Sequence, residues 1–115
     1  MNITWGVNKR GRDYLAIAKV TYRENSKTVP LSIDKETLDN ISQTGYVHVG
    51  IGGGNLYMKE ALSVTGFKIG FTSKRGYIRV PIRALGLTEV EAKEMVGDYK
   101  VGRFDNLIYE LKKGQ

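Results

Sequence analysis

Short runs of alternating apolar and polar residues, separated by glycines and polar turns, make up most of this 115-residue chain. Such alternation is typical of half-buried β-strands. It predicts strands at residues 1–7, 14–22, 28–33, 45–50, 55–60, 67–72, 77–80, 98–101 and 106–112. Helices are predicted from the N-cap Asp34 to about Ile41, and over residues 88–96, where Thr88 and Glu91 form a capping-box pair. The expected fold class is mostly β with two short helices.

Residues 66–87 carry the most distinctive pattern of the chain. A strand is followed by a tight turn built on Gly76, a second strand, and a short helical piece that ends in Leu-Gly-Leu. Pro81 stands between the second strand and this helical piece. Because proline donates no hydrogen bond and has a fixed φ, it can end a strand and open a helix. We therefore expect a hairpin that leads directly into a helix.

The two halves of the chain repeat the same order of predicted elements. Pro81 lies 51 residues after Pro30, each follows a valine, and Asn106 lies 51 residues after Asn55. We interpret residues 14–60 and 62–113 as a duplicated ββαββ unit, preceded by a strand and a basic loop at residues 1–13. One unit alone would leave its strand edges uncovered, but two interleaved units can close a small barrel with pseudo-twofold symmetry.

Composition and charge narrow the function classes. The length suits a single domain at residues 1–115, and no run of residues is long and apolar enough to cross a membrane. Without cysteine the chain has no disulfide framework, and we expect a cytoplasmic protein. The net charge of +6 and the pI of about 9.6 favour an acidic partner, either a nucleic acid or an acidic protein.

Residues 65–113 resemble the swapped-hairpin DNA-binding domain of the AbrB and MazE family. The resemblance is carried by Gly76 in the first hairpin, by Val80-Pro81-Ile82, by Leu85-Gly86-Leu87 and by the closing strand. Tyr77 occupies a position that is usually arginine in the family, and the segment between Leu87 and Gly97 is longer than usual. The resemblance implies a cradle-loop barrel that binds DNA through basic residues on the first hairpin and near the helix start.

The candidate DNA contacts are therefore cations in and after that hairpin. In a strand, Arg75, Tyr77 and Arg79 share one face, so the two arginines could meet phosphates or groove edges around the tyrosine ring. The full candidate set is Lys74, Arg75, Tyr77, Arg79 and Arg83, with Arg10 and Arg12 of the N-terminal loop as a second basic group. A hairpin edge kept soluble by charge is the alternative interpretation.

The remaining motifs do not indicate an enzyme. The glycine run at residues 50–54 separates two strand-like segments, so we expect a hairpin turn instead of a phosphate loop. His48 is the sole histidine, and the glutamates of residues 89–94 are typical of a solvated helix face.

The expected function is a non-enzymatic DNA-binding regulator of bacterial, plasmid or phage origin without a cofactor, either a pseudo-twofold monomer or a homodimer. A small basic phage or mobile-element protein that binds and inhibits an acidic host protein is the alternative. A small-ligand barrel is a third possibility.

Overall fold

The computed structural model describes residues 17–62, 65–105 and 107–113. In these residues nine strands and three helices follow one another along the chain. They are β1 Ile17–Val20, β2 Thr28–Asp34, α1 Lys35–Ile41, β3 Tyr46–Gly52, β4 Asn55–Glu60, β5 Phe67–Lys68, β6 Gly70–Phe71, β7 Arg75–Pro81, α2 Ile82–Leu85, α3 Glu89–Glu94, β8 Gly97–Arg103 and β9 Ile108–Lys113. The predicted N-terminal strand and basic loop lie outside the described residues.

The strands form one antiparallel sheet in the order β5-β3-β4-β9-β8-β1-β2-β7-β6. The two ends of this order, β5 and β6, are neighbours in sequence and are separated only by Ile69. The sheet therefore curls until its ends nearly meet, which confirms the expected mostly β, barrel-like architecture.

The two halves of the chain alternate around this sheet. Among the described strands, the first half supplies the hairpins β1–β2 and β3–β4, which do not pair with each other. Second-half strands join them, because β8 pairs with β1, β9 with β4, β7 with β2 and β5 with β3. Each half thus covers strand edges of the other half.

The core lies inside the barrel and under α1. The inward positions of β2 and β7, Val29, Leu31, Ile78 and Val80 among them, are fully buried. Leu38 of α1 is also fully buried. Each such aliphatic side chain contributes roughly 1.5–3 kcal/mol relative to an exposed one, so the alternation along these two strands is a main source of stability.

Helix α1 begins where the sequence predicts it. The Asp34 carboxylate accepts hydrogen bonds from the Thr37 amide at 3.1 Å and from the Thr37 hydroxyl at 2.8 Å. These bonds satisfy a backbone donor that the first helical turn leaves unpaired. Helix α3 begins with the complete capping box of Thr88 and Glu91, as predicted.

The segment after Pro81 is a separate helix, so the described residues contain three helices and not two. Pro81 is the N-cap of α2, and Gly86 ends this helix with a left-handed φ of 69°. A left-handed residue stops a helix, and glycine adopts that conformation without steric cost. For this reason α2 and α3 cannot merge into one helix.

The prediction for the hairpin around Gly76 is wrong in two respects. The turn is formed at Ser73 and Lys74, where the Thr72 amide donates to the Arg75 carbonyl at 2.8 Å, and Gly76 is buried inside β7. The predicted strand at residues 67–72 is divided into β5 and β6, which pair with opposite ends of the sheet. By contrast, the glycine run does form the β3–β4 hairpin turn, with positive φ at Gly53 and Gly54.

No helix in the described part of the chain is long and apolar enough to span a membrane.

Candidate nucleic-acid interface

The outer face of β7 carries three of the predicted contact residues, and two of them are exposed. Tyr77 and Arg79 are exposed, whereas Gly76, Ile78 and Val80 between and beside them are buried. This alternation confirms that positions 75, 77 and 79 lie on one face of the strand. The face is therefore open to a ligand at Tyr77 and Arg79.

Arg75 shares this face, but its guanidinium group is used within the fold. Its Nε donates to the Ser32 hydroxyl at 2.7 Å, and its Nη2 donates to the Ser32 carbonyl at 2.8 Å. The side chain is only half exposed. Arg75 therefore ties β7 to β2 and offers less of its charge to a ligand than Arg79 does.

A groove of about 550 Å³ runs beside Tyr77 and Arg79, along the seam where β5 and β6 meet β7. Its lining consists of Phe67, Lys68, Gly70, Phe71, Tyr77 and Arg79. Among the described residues, two cations and three aromatic rings thus line the groove, without any acidic side chain. We call this site the seam groove.

The shape of the seam groove follows from the register of its strands. Gly70 pairs with Tyr77, so the strand opposite the tyrosine presents no side chain. Tyr77 is 40% exposed and Phe71 is 41% exposed, whereas Phe67 is half-buried and packs against the core. The ammonium group of Lys35 lies 5.5 Å from the centre of the Phe71 ring, which is a cation–π contact.

Lys74 lies in a different electrostatic environment. It lines a shallow cleft with Ser73, Lys35 and three carboxylates, those of Asp34, Glu36 and Asp39. These carboxylates oppose the approach of a phosphate. The structure therefore separates Lys74 from the acid-free seam groove.

Arg83 lines a third cleft, of about 420 Å³, together with Lys27 and Leu87. Lys27 forms an ion pair with Glu89 at the start of α3. The hydrogen bond with Glu89 raises the pKa of Lys27, and the hydrogen bond and charge of Lys27 lower the pKa of Glu89. Lys27 is thus partly neutralised, and Arg83 is the remaining cation in that cleft's lining.

Arg10 and Arg12 lie outside the described residues. Conversely, sequence reasoning missed Lys68, Phe67 and Phe71 of the seam groove. The signal for Lys68 was available, because residues 67–71 alternate aromatic or aliphatic residues with Lys68 and Gly70. The pairing of β6 with β7 is the hairpin that the sequence predicts. The departure of β5 from β7 to β3 was not readable, since it depends on closure of the sheet.

The described residues contain no group of three or more histidine, aspartate or glutamate side chains that could hold a metal ion. His48 is half-buried on β3 and faces Lys59 across the strand pair. Arg103 stacks 5.3 Å from the centre of the Tyr109 ring and also donates to its hydroxyl at 3.2 Å, in a cleft beside α1 that includes Glu36.

Comparisons with protein-family models, with curated proteins and with solved structures gave no match for this chain.

Proposed function

We propose that this protein is a non-enzymatic DNA-binding protein that uses the seam groove and the outer face of β7, in the role of a transcriptional or accessory regulator. A regulator of bacterial, plasmid or phage origin fits the AbrB-like and MazE-like features of its sequence. The proposed contacts to DNA are the two cations of the groove, Lys68 and Arg79.

One observation carries the proposal. Lys68 and Arg79 line the same groove with three aromatic rings and, in the part of the chain that the structure describes, no acid; the net charge of the chain is +6. Cations that face an open, acid-free surface attract phosphates and release their condensed counterions, which is the main source of affinity in most protein–DNA complexes. Arginine adds bidentate hydrogen bonds to phosphate oxygens or to guanine.

A salt series with duplex DNA tests the proposal. The logarithm of the binding constant should fall linearly with the logarithm of the salt concentration, with a slope of roughly −0.9 for each phosphate engaged. Charge reversal in the double variant Lys68→Glu/Arg79→Glu should abolish binding at physiological salt and leave the unfolding transition intact.

The matched control is Lys112→Glu/Arg23→Glu, which makes the same charge change at exposed positions outside the groove lining. If both double variants lose affinity equally, binding follows net charge alone, and the assignment to the seam groove fails. If the groove variant binds duplex DNA as well as the unmodified protein does, DNA binding by this surface is refuted.

We also propose that the barrel arose by duplication of a ββαββ unit, as in the swapped-hairpin family. The pairing of β2 with β7 includes Val29 opposite Val80, and the pairing of β4 with β9 includes Met58 opposite Tyr109. Both pairs join residues 51 positions apart, the same shift that relates Pro30 to Pro81. The contact of β1 with β8 has a counterpart in the contact of β5 with β3.

The first hairpins of the two halves differ in register. Val20 pairs with Leu31 in the first half, whereas Phe71 pairs with Gly76 in the second. A shift of 51 would instead place Phe71 opposite Ile82. In the proposed duplication, the second copy has slipped at this hairpin, and the seam groove is found at the slipped hairpin only.

An acidic protein is the second candidate partner. The half-exposed rings of Phe71 and Tyr77 beside cations would suit an acidic protein surface with apolar side chains. A pull-down from host lysate with and without nuclease separates the two candidates, because captured nucleic acid disappears with nuclease and a protein partner remains.

A further inference from the structure

We infer that the seam groove binds a single strand of nucleic acid and holds an unstacked base against the ring of Tyr77. This inference rests on the proposed function and names its ligand more narrowly. It follows from the chemistry of the groove, which combines aromatic faces with flanking cations.

The exposed aromatic face of the groove belongs to Tyr77, which is 40% exposed on the outer face of β7. Phe71 pairs with Gly76 and turns its ring toward α1. The exposed area of Tyr77 lies beside Gly70, whose missing side chain leaves room for a flat group. A base has a π-face that can stack on such a ring, whereas a paired base in a duplex has both faces covered by its neighbours.

Two cations flank this aromatic face, because Lys68 and Arg79 line the groove together with Tyr77. A chain of phosphates can follow these cations while its bases turn inward, as in other single-strand grooves. A duplex meets a protein mainly through phosphates and base edges, so it would contact the cations and leave the rings unused.

The groove lining formed by the described residues contains no acidic side chain. An acid could compete for the hydrogen-bond donors of a base or repel the strand, and the clefts beside α1 contain Glu36, Asp39 or Glu60. The seam groove is lined without them. The observations therefore favour a single strand in this groove.

Fluorescence anisotropy with two probes tests the inference. One probe is a labelled oligothymidylate, and the other is a labelled hairpin duplex with the same number of phosphates. The oligothymidylate should bind more tightly, and Tyr77→Leu should weaken its binding by about 5- to 100-fold, the effect expected for one stacked base. The same variant should leave duplex binding nearly unchanged.

Three further variants separate stacking from folding. Tyr77→Phe keeps the ring and should keep the affinity. Gly70→Leu should block the groove, because the new side chain would fill the space beside Tyr77. The fold should accept it, since a Cβ built at Gly70 meets only the Tyr77 carbonyl oxygen, at 3.9 Å. Phe104→Leu removes an exposed ring that packs against Tyr57 away from the groove, and it should have no effect on binding. Urea unfolding of each variant identifies any loss caused by misfolding.

The outcomes distinguish this inference from the proposed function. If the duplex binds through Lys68 and Arg79 but the oligothymidylate binds no better, and Tyr77→Leu and Gly70→Leu have no effect, the single-strand inference is overturned and DNA binding stands. If neither probe binds, both proposals are overturned.

Discussion

At the scale of single residues, Gly76 shows how one side-chain position can fix the packing of a helix on a sheet. The glycine lies in β7 beneath α1, where an added Cβ would come within 2.2 Å of the Leu38 Cδ1 atom and 3.2 Å of the Phe71 ring. Leu38 is fully buried and has little room to move. The position therefore requires glycine because of the close approach of α1.

Substitution of this glycine should be costly. We expect Gly76→Ala to lower the free energy of unfolding by about 1–3 kcal/mol, the usual cost of overpacking a core. The control is Gly102→Ala in β8, where nothing lies within 4 Å of the added Cβ. Urea denaturation of both variants measures the difference, and equal stability of the two would contradict the packing explanation.

Gly76 also explains an error of sequence reasoning. A glycine between a basic pair and a β-strand is typical of a turn, and the resemblance to swapped-hairpin proteins reinforced that interpretation. Sequence alone cannot tell a glycine needed for a positive φ from one needed for close approach. The distinction depends on Leu38, which is 38 positions earlier in the chain.

Arg75 is the second residue for which the structure changes the expectation. Its two hydrogen bonds to Ser32 link neighbouring strands. We expect Arg75→Met to reduce the free energy of unfolding by about 1–2 kcal/mol, because the partner groups on Ser32 lose a charged donor. DNA affinity of the folded protein should change far less than in the Arg79→Glu variant.

Unfolding curves and binding titrations on the same samples check this prediction for Arg75. The conservative variant Arg75→Lys cannot reproduce both hydrogen bonds of the guanidinium group. Its free energy of unfolding should lie between those of Arg75→Met and the unmodified protein. A large loss of DNA binding in Arg75→Met without any loss of stability would assign Arg75 to the interface instead.

At the scale of elements, the ion pair between Lys27 and Glu89 joins the β1–β2 turn to α3. The turn also approaches α2, because the Ile82 amide donates to the Lys27 carbonyl at 3.1 Å. The side chains of the ion pair are 52% and 44% exposed, so solvent and salt screen the attraction. The pair therefore helps to orient α3 against the β1–β2 turn and contributes modestly to the free energy of unfolding.

This ion pair should make the free energy of unfolding depend on pH in the acidic range, where Glu89 titrates, and in the basic range, where Lys27 titrates. The pKa of Glu89 is lowered from its ordinary value of 4.5, so its contribution is complete above that value and is lost as the pH falls through the lowered pKa. The pKa of Lys27 is raised from 10.5, so its contribution is complete below that value and is lost as the pH rises through the raised pKa.

Glu89→Gln should therefore be less stable than the unmodified protein at pH 7, and the difference should shrink below pH 4.5. Urea midpoints across that range provide the measurement. The matched control is Glu94→Gln, on the same helix, because the Glu94 carboxylate forms no ion pair with another described residue. A difference between Glu89→Gln and the unmodified protein that stays constant through acid would remove the ion pair as its cause.

The elements themselves were largely predictable from sequence. The caps at Asp34 and Thr88 marked two helix starts, and the proline at position 81 marked the end of β7. Local chemistry determines these boundaries, so local sequence reveals them. The division of residues 67–72 into β5 and β6 is instead set by two distant partners, β3 and β7, and no local signal marks it.

At the scale of the whole molecule, the interleaving of the two halves predicts that neither half folds without the other. A first half expressed alone would contain two hairpins that do not pair with each other, and isolated hairpins are marginally stable at best. We expect fragments of residues 1–63 and 64–115 to be unfolded separately and to recover the native circular dichroism spectrum when mixed. Independent folding of either fragment would contradict this dependence.

The same interleaving explains what could and could not be foreseen about the candidate site. The repeat pattern around Pro30 and Pro81 indicated a closed β structure, and the outward positions of Tyr77 and Arg79 followed from alternation along one strand. Phe71 joins them through the local β6–β7 hairpin, whereas the position of Lys68 is set by the pairing of β5 with β3, where the sheet curls back on itself. Sites formed at such a closure require the three-dimensional structure.

Closure of this barrel depends on very short strands, since β5 and β6 contribute two residues each and only Ile69 lies between them. Few hydrogen bonds therefore hold the two ends of the sheet in place, and local unfolding should begin there. The amides of residues 67–71 should exchange with deuterium before those of β2 and β8. A strand of nucleic acid that contacts both β5 and β7 would oppose this local unfolding. The same ligand that occupies the site would then slow the exchange of these amides and raise the thermal stability of the entire protein.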